Sequence, residues 1–158
     1  MKLGQVAILL WALTIGVAAV YFLRGTTHEG IDQRRVVQLS PQEKDMVLGE
    51  MRQILVAVHG VLTGLSANDM PAVAKAAKSA GMSMAADGSP ELLAKLPIEF
   101  KALGLGLHRD FDQLSTDVDG GLGKDQVVAR MAQITTKCVS CHAAYRLGVG
   151  DEVGQRAP

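Results

Sequence analysis

Residues 124–146 read KDQVVARMAQITTKCVSCHAAYR, and the spacing within them decides how the rest of the chain is read. Val127, Met131, Ile134, Cys138, Cys141 and Tyr145 recur at steps of four, three, four, three and four, the period of an apolar stripe on one face of an α-helix. The stripe carries Cys138-Val139-Ser140-Cys141-His142. Two cysteines three apart, followed at once by a histidine, have the spacing for attaching a c-type haem: each thiol adds to a vinyl group and the next residue ligates the iron. A thioredoxin-like redox pair has no need of the adjoining histidine and belongs near a βαβ pattern. A zinc site wants four ligands, and no second cysteine pair exists to complete them. Cys138 and Cys141 are the only cysteines in the 158 residues. One haem c, covalent through both and ligated by His142, is therefore the expected cofactor.

Upstream of this helix the same period recurs. Phe100, Leu103, Leu107, Phe111, Leu114 and Val118 predict a helix that ends at Asp119-Gly120-Gly121. Gly104 and Gly106 weaken it, and they are no phosphate loop, because the remaining glycine pattern is missing. Before it lies a short segment opened by Ser89-Pro90-Glu91 and broken by Pro97. Earlier still, Met70 to Ala80 is an alanine-rich helix with Gly81 as its stop. The first strong helix begins at Ser40-Pro41-Gln42-Glu43, where Ser40 caps, Pro41 suits the first helical position and Glu43 completes a capping box. Its seam is Val47, Met51, Ile54, Val58, Val61 and Leu65. The last helix is expected to run to Gly148, and no alternation predicts a β-strand. The expected fold is all-α: an antiparallel four-helix bundle over residues 40–148 carrying the haem, with 149–158 a polar tail.

Residues 3–22 contain no charge and no strong helix breaker, which is enough to span a bilayer as a single transmembrane helix. A cleaved signal peptide is the rival reading. Its apolar region is normally shorter, and here Val17-Ala18-Ala19 is followed by further apolar residues, Val20-Tyr21-Phe22-Leu23. Residues 1–24 are therefore expected to be an uncleaved anchor, in the membrane through 3–23, with Lys2 marking the cytoplasmic end. That places the chain in the cell inner membrane as a single-pass protein with its haem domain in the periplasm. Residues 25–39, without a helical stripe, are expected to be a linker. Formal net charge is zero, so no basic surplus exists to neutralise phosphates and no nucleic-acid partner is expected.

From Cys138 to Arg146 the chain resembles the cytochrome c prime family, including its low-spin c-556 branch, in which Cys-x-x-Cys-His-x-x-aromatic-Arg lies on the last helix of a four-helix bundle. The resemblance covers about residues 40 to 148. It implies that the first helix supplies the residue on the open side of the haem: a methionine in c-556-like members, an apolar residue in gas-responsive ones. Met51 is the only methionine in the first helix's seam and becomes the implied second iron ligand, with Met46 as runner-up; the plain alternative for Met51 is core filler. Arg146 is a candidate to pair with a haem propionate or to sit beside the proximal imidazole, against the reading of a solvated cation. His59 falls opposite the seam, His108 borders the third helix's apolar face as a partly buried histidine, and His28 lies in the linker.

The function expected on these grounds is single-electron transfer by a periplasmic haem with His/Met ligation, exchanging electrons with redox proteins or within a membrane electron-transfer complex. No arrangement of serine, histidine and acid points to an enzyme. The alternatives are a five-coordinate haem that binds NO or CO, which requires that Met51 not ligate, and a haem subunit of a larger membrane assembly.

Overall fold

The computed structural model describes residues 3–150. It is mostly helical with a small sheet. Helix α1 (Leu3–Arg24) leads to strands β1 (Thr27–Glu29) and β2 (Arg35–Leu39), then to α2 (Pro41–Ala67) and α3 (Met70–Ser79). A 3-10 turn (Met84–Asp87) and the short α4 (Pro90–Lys95) precede α5 (Ile98–Asp119), α6 (Lys124–Ala144) and β3 (Tyr145–Val149). The polar tail falls almost wholly on 151–158, outside the described residues.

The local signals for α2 operate as read. Ser40 Oγ accepts from the Glu43 amide at 3.2 Å and Glu43 Oε2 accepts from the Ser40 amide at 2.7 Å, the two halves of a capping box. The helix closes at Asn68 in the left-handed region (φ 60°). Close packing of α2 on α3 depends on absent side chains: a Cβ on Gly60 would stand 2.8 Å from the Ala76 Cβ, and one on Gly64 would stand 2.8 Å from Val73 Cγ2.

Two readings need correction. The segment 25–39, expected to be a linker, is built into the fold. β2 pairs antiparallel with β1 and parallel with β3, in the register Arg35↔Tyr145, Val37↔Leu147 and Leu39↔Val149. Val36 and Val37 are wholly buried, so apolar burial rather than alternation holds β2 in place. The last helix, expected to reach Gly148, stops at Ala144. Tyr145 (φ −130°, ψ 151°) turns into the interior, meets Phe100 edge to face at 5.4 Å, and lies under the Arg35 guanidinium at 5.6 Å.

Apolar side chains form two cores. The larger joins α2, α3, α5 and α6 through Val61, Val73, Phe111, Leu114, Val127 and Ile134. The smaller lies beneath the sheet and contains Val37, Leu39, Val47, Leu92, Leu96, Phe100 and Tyr145. Helix α1 buries nothing in either; an 18-residue stretch of its 22 residues has mean hydropathy 2.4, long and apolar enough to cross a bilayer or to serve as a signal sequence. Helix α2 also passes by length and composition, at mean hydropathy 1.2, but it carries five buried residues and packs within the larger core.

The exit from α1 is tight. Gly25 has φ 63° and its α-carbon faces the Lys95 carbonyl and the Leu96–Pro97 backbone so closely that no side chain fits. The Thr26 amide donates to Lys95 O at 2.8 Å, and Lys101 Nζ donates to Phe22 O at 3.1 Å.

Candidate cofactor site

Where the two cores meet, a cleft of about 550 Å³ opens between α2, α5 and α6. Cys138, Cys141 and His142 line one wall and Met51 belongs to α2 on another, with Leu48, Ile54, Leu55, Val58, Leu103 and Leu107 between them. The structure thus brings the attachment motif and the implied second ligand to one cavity. Met46 does not line it; that side chain is 49% exposed and borders a different cleft. The seam therefore separates the two methionines as its period required.

Glu50, Arg52, His108, Thr135 and Lys137 are the other polar side chains of the wall. Thr135 Oγ1 donates to Met131 O at 2.9 Å, and Lys137 donates to Gly106 O at 3.1 Å while pairing with Asp110. The rest of the lining is mostly apolar, with sulfur and imidazole donors among it. This set fits a flat apolar macrocycle with a central iron: two thiols for covalent attachment, an imidazole, and a thioether.

The thiols are half-buried and are not joined in a disulfide. Burial pushes both above the ordinary cysteine range, and at Cys141 the neighbouring Cys138 adds to the rise. A catalytic redox pair has the opposite character, with one thiol lowered at a helix N-terminus. Here Cys138 lies fourteen residues beyond Lys124, near the C-terminal end of α6.

A smaller cleft of about 180 Å³ continues past Met51, Phe100, Cys141 and His142 and is lined by Arg34, Lys44 and Arg146. Arg34 Nη1 donates to His142 O at 3.3 Å and its Nε to Asp32 Oδ2 at 2.7 Å; Arg146 Nε stands 3.7 Å from Asp32 Oδ1. The Arg34 hydrogen bond holds Asp32 below the usual carboxylate range. Arg146 lines this cleft together with His142 and lies on a strand rather than a helix. Arg34 and Lys44 were missed. Arg34 gives no local signal, since only the parallel pairing of β2 with β3 carries it there. Lys44 was findable, because 44, 48 and 51 share a helical face.

The remaining histidines divide. His59 is exposed and within 3.5 Å of Thr63 Oγ1. His28 lies 2.8 Å from the Gln38 side chain. His108 is buried, donates from Nδ1 to Ala80 O at 2.8 Å, and turns Nε2 toward Glu50 Oε1 at 3.5 Å. Among the described residues no cluster of three or more His, Cys, Asp or Glu side chains is arranged to hold a metal ion by itself. The iron of a haem needs no such cluster.

Comparison of the chain with protein-family models, with curated proteins and with solved structures finds no match.

Proposed function

We propose that the protein is a membrane-anchored c-type cytochrome: a four-helix bundle of α2, α3, α5 and α6 that holds one covalent haem in the larger cleft and passes single electrons on the periplasmic side of the inner membrane. The observation that carries this reading is the convergence of Cys138, Cys141, His142 and Met51 on one apolar cavity. When bound, the haem supplies a one-electron couple between ferric and ferrous iron.

The residues of the chain do the rest. Cys138 and Cys141 of α6 would hold the macrocycle covalently, and His142 would ligate its iron. Met51 supplies a soft thioether, which favours the ferrous state and so a comparatively positive potential. Leu48, Ile54, Leu55 and Val58 would offer the macrocycle apolar surface. Arg34, Lys44 and Arg146 offer cationic partners to the propionates at the rim. Redox proteins or a membrane electron-transfer complex are the partners, and α1 is the anchor.

The optical spectrum tests this. Haem should stay with the denatured chain, and the native protein should be low-spin in both oxidation states. Met51→Ala should turn it high-spin and open it to carbon monoxide, whereas Met46→Ala should leave the spectrum unchanged. Wild-type protein that is already high-spin and binds carbon monoxide at once would move the gas-binding reading ahead.

A further inference from the structure

We infer that the elbow between α4 and α5 is a second membrane contact, seated in the phospholipid headgroup layer beside the exit of α1. This rests on the reading of α1 as an anchor and is independent of the haem. The residues from Leu3 to Phe22 make a helix of about 30 Å, the thickness of a bilayer's hydrocarbon core. When α1 spans, the Phe22 carbonyl therefore lies at the boundary between hydrocarbon and headgroups. It is one of the last four carbonyls of α1, which have no partner within the helix. Lys101 Nζ donates to it at 3.1 Å and to Leu93 O at 3.2 Å. An ammonium group is costly to place in hydrocarbon and is favoured at the negative end of a helix dipole. The first turn of α5 is thus held at that boundary, and the end of α4 with it.

The residues that follow α1 leave the domain little room to swing away. Gly25 packs its α-carbon against the backbone of the elbow, the Thr26 amide donates to Lys95 O at 2.8 Å, and the Thr26 carbonyl accepts from the Gln38 amide at 2.9 Å. The chain passes from the helix straight into contacts with α4 and β2. At the same level two large apolar side chains stand in the open: Leu93 is 40% exposed, and Ile98, the first residue of α5, is 45% exposed. Water gives them no partner, whereas the headgroup layer, about 5–7 Å deep on each side of the hydrocarbon, accepts apolar side chains at its inner edge. Arg24, exposed in the last turn of α1, supplies a cation for lipid phosphate beside them. The occupant of this surface is the bilayer that α1 crosses, and the consequence is a domain held in one orientation over the membrane rather than one moving on a tether.

The test uses the intact chain, α1 included, in nanodiscs of phosphatidylcholine and phosphatidylglycerol that carry a phospholipid with a diazirine at its headgroup; irradiation is followed by peptide mass spectrometry. Label should fall on α1 and on the segment 90–101. It should be at least fivefold weaker on 124–131, the start of α6, which the turn after α5 places at the opposite end of that helix. On 90–101 it should drop at least fivefold in Leu93→Ser/Ile98→Ser, which changes only exposed positions, and in Lys101→Met, which removes the tie to Phe22 O, while label on α1 stays the same. Label on 90–101 no stronger than on 124–131, or unchanged in both variants, overturns the proposal. So does label on 90–101 that disappears when two chains share a disc, the sign that a second copy covers the elbow. The two ideas fail differently: label on α1 with none on 90–101 defeats only the elbow, whereas an α1 that takes no label, or an amino terminus beyond Ala19, defeats the anchor reading itself.

Discussion

Cys138 packs against the larger core and Cys141, one turn further along α6, packs against the smaller one. On the opposite helix Ile54 and Val58 belong to the first core and Met51 to the second. A group bound to both sulfurs therefore bridges two apolar clusters that otherwise adjoin across a 550 Å³ gap. The haem-loaded protein is expected to unfold in one transition. The haem-free Cys138→Ala/Cys141→Ala protein should unfold at lower denaturant and in two steps, the sheet-side core first, because the gap removes contacts from both linings. Calorimetry of the two proteins decides, and identical single transitions would contradict a bridging role.

The segment before α2 offers the next test. A tether tolerates polar substitution, whereas Val37 is wholly buried between the sheet and Phe100's cluster. Val37→Asp buries a carboxylate without a partner and should cost about 3 kcal/mol or more. It should also loosen β3, and with it Arg146 beside the motif. Urea denaturation measures the first effect and the fraction of chains carrying haem measures the second. A change below about 0.5 kcal/mol, the usual range for surface substitutions, would restore the linker reading.

The helices were legible because their signals are local. Ser40-Pro41-Gln42-Glu43 announces α2 by a box that forms as written, and the seam of α6 places both cysteines half inside. The sheet was not legible, because its strands are three to five residues long and its central pairing joins Arg35 to Tyr145 across most of the chain. Nothing near Tyr145 says that the helix stops there; the Phe100 ring and the open edge of β2 decide it. His108 was readable as a bordering histidine. Its anchor on Ala80 O and its approach to Glu50 come from how α3 and α2 pack on α5, which no spacing encodes.

The first turn of α2 should make the protein acid-sensitive. Glu43 accepts from Lys95 Nζ at 2.7 and 2.8 Å while capping Ser40, and these contacts, the Lys95 bond foremost, hold its carboxyl below the ordinary value. A lowered folded-state value means that the stabilisation is fully present above about pH 4.3, where the unfolded group ionises. It is lost as the pH falls through the folded value. Glu43→Gln should cost about 1 kcal/mol at neutral pH. It should also flatten the fall of stability below pH 4.3. Denaturant titrations at pH 7, 5 and 3 check both; a mutant with the wild-type pH profile would show that the acid response arises elsewhere.

Haem-free protein gives a last test through the thiols themselves. The proposed attachment of haem would need them reduced and unpaired, and the fold favours that state. Burial raises both above the ordinary range, Cys141 further through Cys138, so little thiolate exists at neutral pH to attack a disulfide or an oxidant. Alkylation by iodoacetamide should therefore be slower at pH 7 than for a free thiol, with the midpoint of its pH dependence above about 8.5, the value for unperturbed cysteine. The direction follows from burial: with the protonated form stabilised, reactivity appears only as the pH rises through the elevated value. Unfolding in urea should bring the midpoint back to the ordinary value and equalise the two sites. A folded protein whose cysteines alkylate with a midpoint below 7 would have the signature of a redox pair. The thiols would then have a use of their own, and the place of His142 beside them would need another explanation.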